Sequence, residues 1–117
     1  MSPNIGQIGE DIAATYLKNR KYRICTRNYF VRYAEVDIIA DDNGTLVFIE
    51  VKTRVGSLYG KPYDAVSQKK IKKIYMAGLL YSSGRKIAAP MRIDVISIEL
   101  ESNFHLKSLF HMRNIEV

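Results

Sequence analysis

Two apolar runs, Val36 to Ala40 and Leu46 to Val51, meet at Asn43-Gly44, and no other stretch constrains the fold of this chain so strongly. Asn-Gly favours a two-residue hairpin turn, because both central residues must take positive φ and these two bear it at low cost. With that turn Asp42 faces Thr45, and every opposed pair sums to the same number. Asp37 then faces Glu50, and Glu35 faces Lys52. A four-residue loop would slide the register by one pair and leave the faces unchanged. Side chains alternate along strands, so Asp37, Glu50 and Lys52 leave the sheet on one face. Opposed residues have Cβ atoms about 5 Å apart. Their neighbours Val36, Ile38, Ile39, Leu46, Val47, Phe48, Ile49 and Val51 are apolar on both alternations, the habit of strands covered on both sides.

The rest of the chain supplies the covers. Ile5, Ile8, Ile12 and Tyr16 recur at helical spacing over a first helix from about Asn4 to Arg20, with Ala13 and Leu17 widening the stripe. Tyr22 to Val31 reads as a first strand. Glu35 to Asp41 and Thr45 to Arg54 are the hairpin strands, and Gly56 to Pro62 is a loop. A second helix follows from about Tyr63 to Ser82, with Ile71, Ile74, Tyr75 and Gly78 inward, Lys69, Lys70, Lys72 and Lys73 mostly on the other side, and Gly84 as its cap. Met91 to Leu100 and Phe104 to Arg113 read as the last strands. The order is αβββαββ, a mixed sheet with helices packed on it, in one domain spanning residues 1–117. There is no internal repeat.

Composition narrows the class. With 47% hydrophobic and 26% charged residues the chain can form a core without staples. The lone Cys25 allows no internal disulfide, which fits a reducing compartment, and it reads as a core residue. No apolar run is long enough to span a bilayer, and the first residues lack the order of a secretory signal, so a cytoplasmic protein away from membranes is expected. The net charge of +6 and pI near 9.5 draw such a domain toward polyanions, although basicity also serves solubility alone.

The opposed carboxylates carry the chemistry. Like charges across a ladder repel, and a partly buried pair without a cation is costly. Mg²⁺ (or Mn²⁺) removes the conflict, since hard oxygen ligands suit it and it keeps several waters. Lys52, two residues past Glu50, could hold the attacking water or stabilise charge developing on a phosphate. The competing reading is structural: a cross-strand ion pair in which Lys52 neutralises Glu35 and Glu50. Glu10, at the edge of the apolar arc of the first helix, reads by spacing as a rim glutamate paired with a surface lysine.

Asp37 followed by Glu50-Val51-Lys52 at the end of an apolar strand resembles the PD-(D/E)xK nuclease motif. Gly9-Glu10, Arg27-Asn28, Glu35 to Ala40, Val47 to Lys52, Gly60-Lys61-Pro62 with Ala65-Val66, and Arg92 to Val95 together resemble the YraN-type bacterial family of that superfamily. The likeness runs from about Gly6 to the last strand, and Ala34 stands where the family pattern has glycine. The resemblance implies a restriction-endonuclease-like core related to archaeal Holliday junction resolvases. It implies that Asp37, Glu50 and the Val51 carbonyl hold a metal, that Lys52 serves catalysis, and that Glu10 completes the site. Its expected partner is nucleic acid, chiefly DNA, and small nucleases of this kind often act as homodimers.

Other features have two readings each. The four lysines grip phosphates or form a solvated helix face. Gln68 reaches the scissile phosphate or stays on the surface. Tyr59 and Tyr63 stack on bases or pack locally. His105 and His111, with no cysteine cluster nearby, are not zinc ligands, and Asp94 is structural. Three functions compete: a metal-dependent DNA nuclease, a nucleic-acid-binding module with the same fold and little cleavage, and an adaptor that docks proteins by a sheet edge and the basic helix. Opposed carboxylates favour the first, because a pure binder of a polyanion has no need of them.

Overall fold

The computed structural model describes residues 3–56 and 66–117. Within them the elements are α1 (Ile5–Asn19), β1 (Arg23–Val31), β2 (Ala34–Asp42), β3 (Thr45–Val55), α2 (Gln68–Gly84), β4 (Met91–Leu100) and β5 (Leu106–Met112). This is the expected αβββαββ order of an α/β fold. The strands form one sheet in the order β1-β2-β3-β4-β5, with β3 and β4 parallel and the other pairs antiparallel.

The hairpin turn is as the sequence demands. Asn43 and Gly44 take φ of 51° and 93°, and the Gly44 N–H donates to Asp41 Oδ1. The ladder then runs from Asp42↔Thr45 to Ile38↔Ile49 with the expected constant sum. It stops there, one pair short of Asp37 opposite Glu50. Nearby, Asn28 sits at φ 53° between the pairs Arg27↔Ile38 and Tyr29↔Val36, so β1 is irregular beside Asp37.

The two faces of β3 separate the core into two layers. Ile38, Ala40, Val47 and Ile49 pack with Ala13, Ala14 and Leu17 of α1. Val36, Ile39, Leu46 and Phe48 pack with Ile71, Ile74, Ala77 and Tyr81 of α2. Each fully buried aliphatic or aromatic side chain contributes about 2 kcal/mol by leaving water. With apolar residues on both alternations, β3 therefore becomes a central strand.

Both helices differ in detail from expectation. On α1 the deepest residues are Gly9, Glu10, Ala13, Ala14 and Leu17, while Ile5, Ile8, Ile12 and Tyr16 are only partly buried. Small residues let the helix axis approach the sheet: a Cβ on Gly9 would overlap the Thr53 hydroxyl. α2 starts at Gln68 rather than Tyr63, because the Ser67 hydroxyl accepts from the Lys70 N–H and caps the helix there. Tyr75 faces outward at 37% exposure, and Ala77 and Tyr81 take the inner positions. Gly84 is the last helical residue, and the left-handed position after the helix falls on Lys86 instead. The readings of Tyr59, Tyr63 and Gly60-Lys61-Pro62 lie outside the described residues.

Candidate active site

Where the β2–β3 ladder ends, side chains take over from the backbone. Asp37 Oδ2 accepts from the Val51 N–H at 2.8 Å, so this carboxylate is tied into β3 just past Glu50. Alternation along β3 turns Glu50 toward the layer that carries α2, and Lys52 follows two residues later on the same side. Glu50 is 6% exposed, and its Oε2 is buried without a hydrogen-bond partner among the described residues. Burial pushes its carboxyl up to about 7, and the charge of neighbouring Asp37 adds to that, against the pull of Lys70 and Lys52. The Asp37 carboxylate is near enough for its charge to act on Glu50. The two are thus brought together as the hairpin arithmetic requires, although by side chains rather than by a continued ladder.

The expected ion pair of Lys52 with Glu35 and Glu50 is not the one that forms. Among the described residues the ion pair at Glu50 is made by Lys70 of α2, whose Nζ lies 3.7 Å from Glu50 Oε2. Lys52 is half-buried on the same strand face and acts on Glu50 through space. Lys70 therefore leaves the group of four outward lysines, while Lys69, Lys72 and Lys73 stay exposed. Helical spacing accounts for the difference: Lys70 lies one turn before Ile74 and two before Ala77, both fully buried, so it stands on the stripe that faces the sheet.

Glu10 is not the rim glutamate that spacing indicates. It is 7% exposed, and its Oε1 accepts from Arg27 Nε at 2.8 Å and Asn28 Nδ2 at 3.2 Å. Arg27 also reaches Asp11 at 2.7 Å, which clamps α1 to β1. Among the described residues no three histidine, cysteine or carboxylate side chains gather into a metal cluster, so Glu10 does not join Asp37 and Glu50. Gln68 is likewise apart: its Nε2 donates to the Glu116 carbonyl at 3.4 Å.

A second polar group lies on the α1 face. Asp94 is fully buried, with His111 Nε2 at 2.7 Å from its Oδ2 and Arg92 Nε at 3.1 Å from its Oδ1. Burial pushes the Asp94 carboxyl up, but the bonds from His111, Arg92 and the Asn114 N–H outweigh it and hold it below the usual value. Tyr16 binds the other ring nitrogen of His111, and Arg92 and Arg113 both donate to the Tyr22 hydroxyl. The structural reading of Asp94 stands. The part of His111 in this network has no local signal, since its partners lie 17 and 95 residues away in the chain.

Residues 9–98 match the model described as Uncharacterised protein family UPF0102. The chain belongs to this family. UPF0102 is the YraN family, so the resemblance carried by the motifs holds. A UPF0102 protein of Persephonella marina is 42% identical over 108 residues, covering 92% of this chain and 93% of the relative. One from Clostridium botulinum strain Loch Maree is 44% identical over 109 residues, 89% of each chain. One from Alkaliphilus oremlandii is 42% identical over 118 residues, covering 97% and 98%. The UPF0102 match spans every element from α1 through most of β4, and so takes in Glu10, Asp37, Glu50, Lys52 and Lys70 together.

Proposed function

We propose that this UPF0102 protein is a metal-dependent nuclease that hydrolyses DNA phosphodiester bonds. The observation that carries the reading is Glu50 Oε2, a buried oxygen without a hydrogen-bond partner among the described residues, on a carboxyl pushed up to about 7 beside a second carboxylate. A native fold seldom keeps such an arrangement unless the oxygen has a use. Hard carboxylate oxygens fit Mg²⁺ or Mn²⁺. Asp37 and Glu50 would hold the ion, with the carbonyl of Val51, the residue after Glu50, beside them. When bound, the metal supplies polarisation of the phosphate and a lowered pKa for the attacking water.

The protein's own groups do the remaining work. Asp37 keeps one oxygen on the Val51 N–H, which fixes the direction of the other. Glu50 gives up its proton as it takes on a cation, so loading is coupled to proton release. Lys52 stabilises charge developing on the phosphate. Glu10 acts as a positioning residue: it holds Arg27 and Asn28, and Asn28, at φ 53°, lies between the β1–β2 pairs that flank Asp37.

Lys70 favours a second reading, a nucleic-acid-binding module in which this lysine serves Glu50 as a permanent counterion. Two measurements separate them. Cleavage of linear, nicked, flapped and four-way DNAs with Mg²⁺ or Mn²⁺ is expected from the parent. Lys52→Ala should abolish it and retain DNA binding, since one lost cation costs little affinity whereas a transition-state contact costs rate directly. Melting of parent, Asp37→Asn and Glu50→Gln is then followed with and without metal. Metal should raise the melting temperature of the parent by binding the native state, and should raise it little in either variant. Three proteins unmoved by metal, with no cleavage of any DNA, would leave the counterion reading.

A further inference from the structure

The turn between β1 and β2 places two aromatic side chains in solvent beside the basic helix. Phe30 is 69% exposed and Tyr33 is 76% exposed, on an edge strand and at the tip of its turn. Tyr33 takes φ 75°, a left-handed conformation that glycine or asparagine adopts with far less strain. Nothing in packing calls for a tyrosine there, and strain held at an exposed position points toward use. The Arg32 guanidinium lies 5.1 Å from the centre of the Tyr33 ring and limits its motion.

Tyr33 also stands on the boundary of two adjoining cavities. One, of about 440 Å³, runs between the turn and α2 and is lined by Lys69, Lys72 and Lys73 together with the exposed Met76 and Leu80 and the buried Ala77. The other, of about 370 Å³, continues past Phe30, Lys73 and Glu35 to Lys70. Lys70 in turn touches Glu50 at 3.7 Å. The two cavities share Val31, Tyr33, Ala34 and Lys73, so one groove leads from the outer face of α2 to Lys70, the ion-pair partner of Glu50. Its described lining is mostly basic where it is charged, and Glu35 is the one acid among the described residues that line it.

We propose that this groove seats an unpaired stretch of nucleic acid, with Tyr33 and Phe30 stacking on bases, Lys69, Lys72 and Lys73 on phosphates, and Lys70 at the entrance to the carboxylates. The direction of the strand toward the carboxylates rests on the nuclease reading; the seat itself does not. Exposed rings can stack only on bases that are not already stacked and paired, and apolar side chains among lysines meet bases and backbone together. A duplex offers this groove phosphates alone. The substrate class that follows is DNA with a single-stranded arm next to a duplex.

Binding is measured by fluorescence anisotropy in EDTA, so that no cleavage intervenes, on a blunt duplex, the same duplex with a single-stranded arm, and a short oligothymidine. The parent should bind the armed duplex about tenfold more tightly than the blunt one, as expected for one or two stacked bases. Tyr33→Gly should lose about tenfold on the armed duplex and the oligothymidine and change little on the blunt duplex. It should melt no lower than the parent, because glycine relaxes the left-handed position. Tyr33→Asn, which also tolerates that conformation, should behave alike. Equal affinity for armed and blunt duplexes, or Tyr33 variants that bind as the parent does, would overturn the groove. Cleavage of the same DNAs with Mn²⁺ keeps the two ideas apart. Cutting without arm preference sinks the groove and leaves the nuclease, whereas arm preference without cutting sinks the nuclease and leaves the groove.

Discussion

Glu50 is a residue on which opposed forces can be weighed. Removal from water and the Asp37 charge favour its neutral form, Lys70 and Lys52 favour the ionised form, and the first pair wins. The native state therefore holds the proton more tightly than the unfolded chain, in which Glu50 has its ordinary value of 4.5. A raised carboxyl costs stability as pH rises from about 4.5 to about 7, and the cost is constant above that. Its upper size is about 3 kcal/mol, from the separation of the two values. In metal-free buffer Glu50→Gln should melt with the parent near pH 4 and above it at pH 8. A variant that melts lower at pH 8 would mean that the Lys70 ion pair outweighs burial. On the proposed function the same proton would oppose metal, so the metal-induced rise in the parent's melting temperature should grow between pH 6 and pH 8. Asp37→Asn is a milder change, since an amide oxygen can still accept from the Val51 N–H.

At the scale of elements, the placing of α1 on β3 depends on a missing side chain. Alanine is better than glycine inside a helix by about 1 kcal/mol. At Gly9 that gain is overruled, because the new Cβ would overlap the Thr53 hydroxyl and lie 2.8 Å from Thr53 Cβ, which no rotation of the side chain relieves. Gly9→Ala should therefore lower stability by about 2 kcal/mol, with part recovered by Thr53→Ala. Thermal melts of the single and double variants check this, and a Gly9→Ala protein as stable as the parent would refute the close contact. The same contact shows what could be read before folding. The hairpin register was legible because Asn43-Gly44 fixes it locally, and with it came the meeting of Asp37 and Glu50. The burial of α1 was not, because hydrophobicity points to Ile5, Ile8, Ile12 and Tyr16 while closeness belongs to Gly9 and Ala13. The start of α2 depends on one serine cap, and its inner face runs through Ile74, Ala77 and Tyr81 rather than Tyr75, which puts Lys70 toward Glu50. Glu10 with Arg27, and His111 with Asp94, are pairs made by tertiary packing across 17 residues of chain each, and no periodicity announces them.

For the whole molecule, the proposed function raises the question whether charge in bulk or charge in place would govern nucleic-acid binding. The net charge is +6, enough to attract a polyanion without any specific surface. A diffuse field and a lysine-lined groove differ in counterion release, since only lysines seated on phosphates displace condensed ions. Replacing Lys69, Lys72 and Lys73 by Glu changes the charge by −6, which leaves a net charge of 0. Replacing Lys18, Lys21 and Lys86, all exposed and away from the groove lining, does the same to the total. If place governs, the first variant should lose a slope of about 2 in a plot of log affinity for oligothymidine against log salt, from three single-strand phosphate contacts. The second should keep the parent's slope and lose only a small, uniform amount of affinity at low salt. If the total governs, both variants should fall together with the same slope. Circular dichroism and melting of both set aside unfolding as a cause, and equal behaviour of the two would move the contact surface off α2.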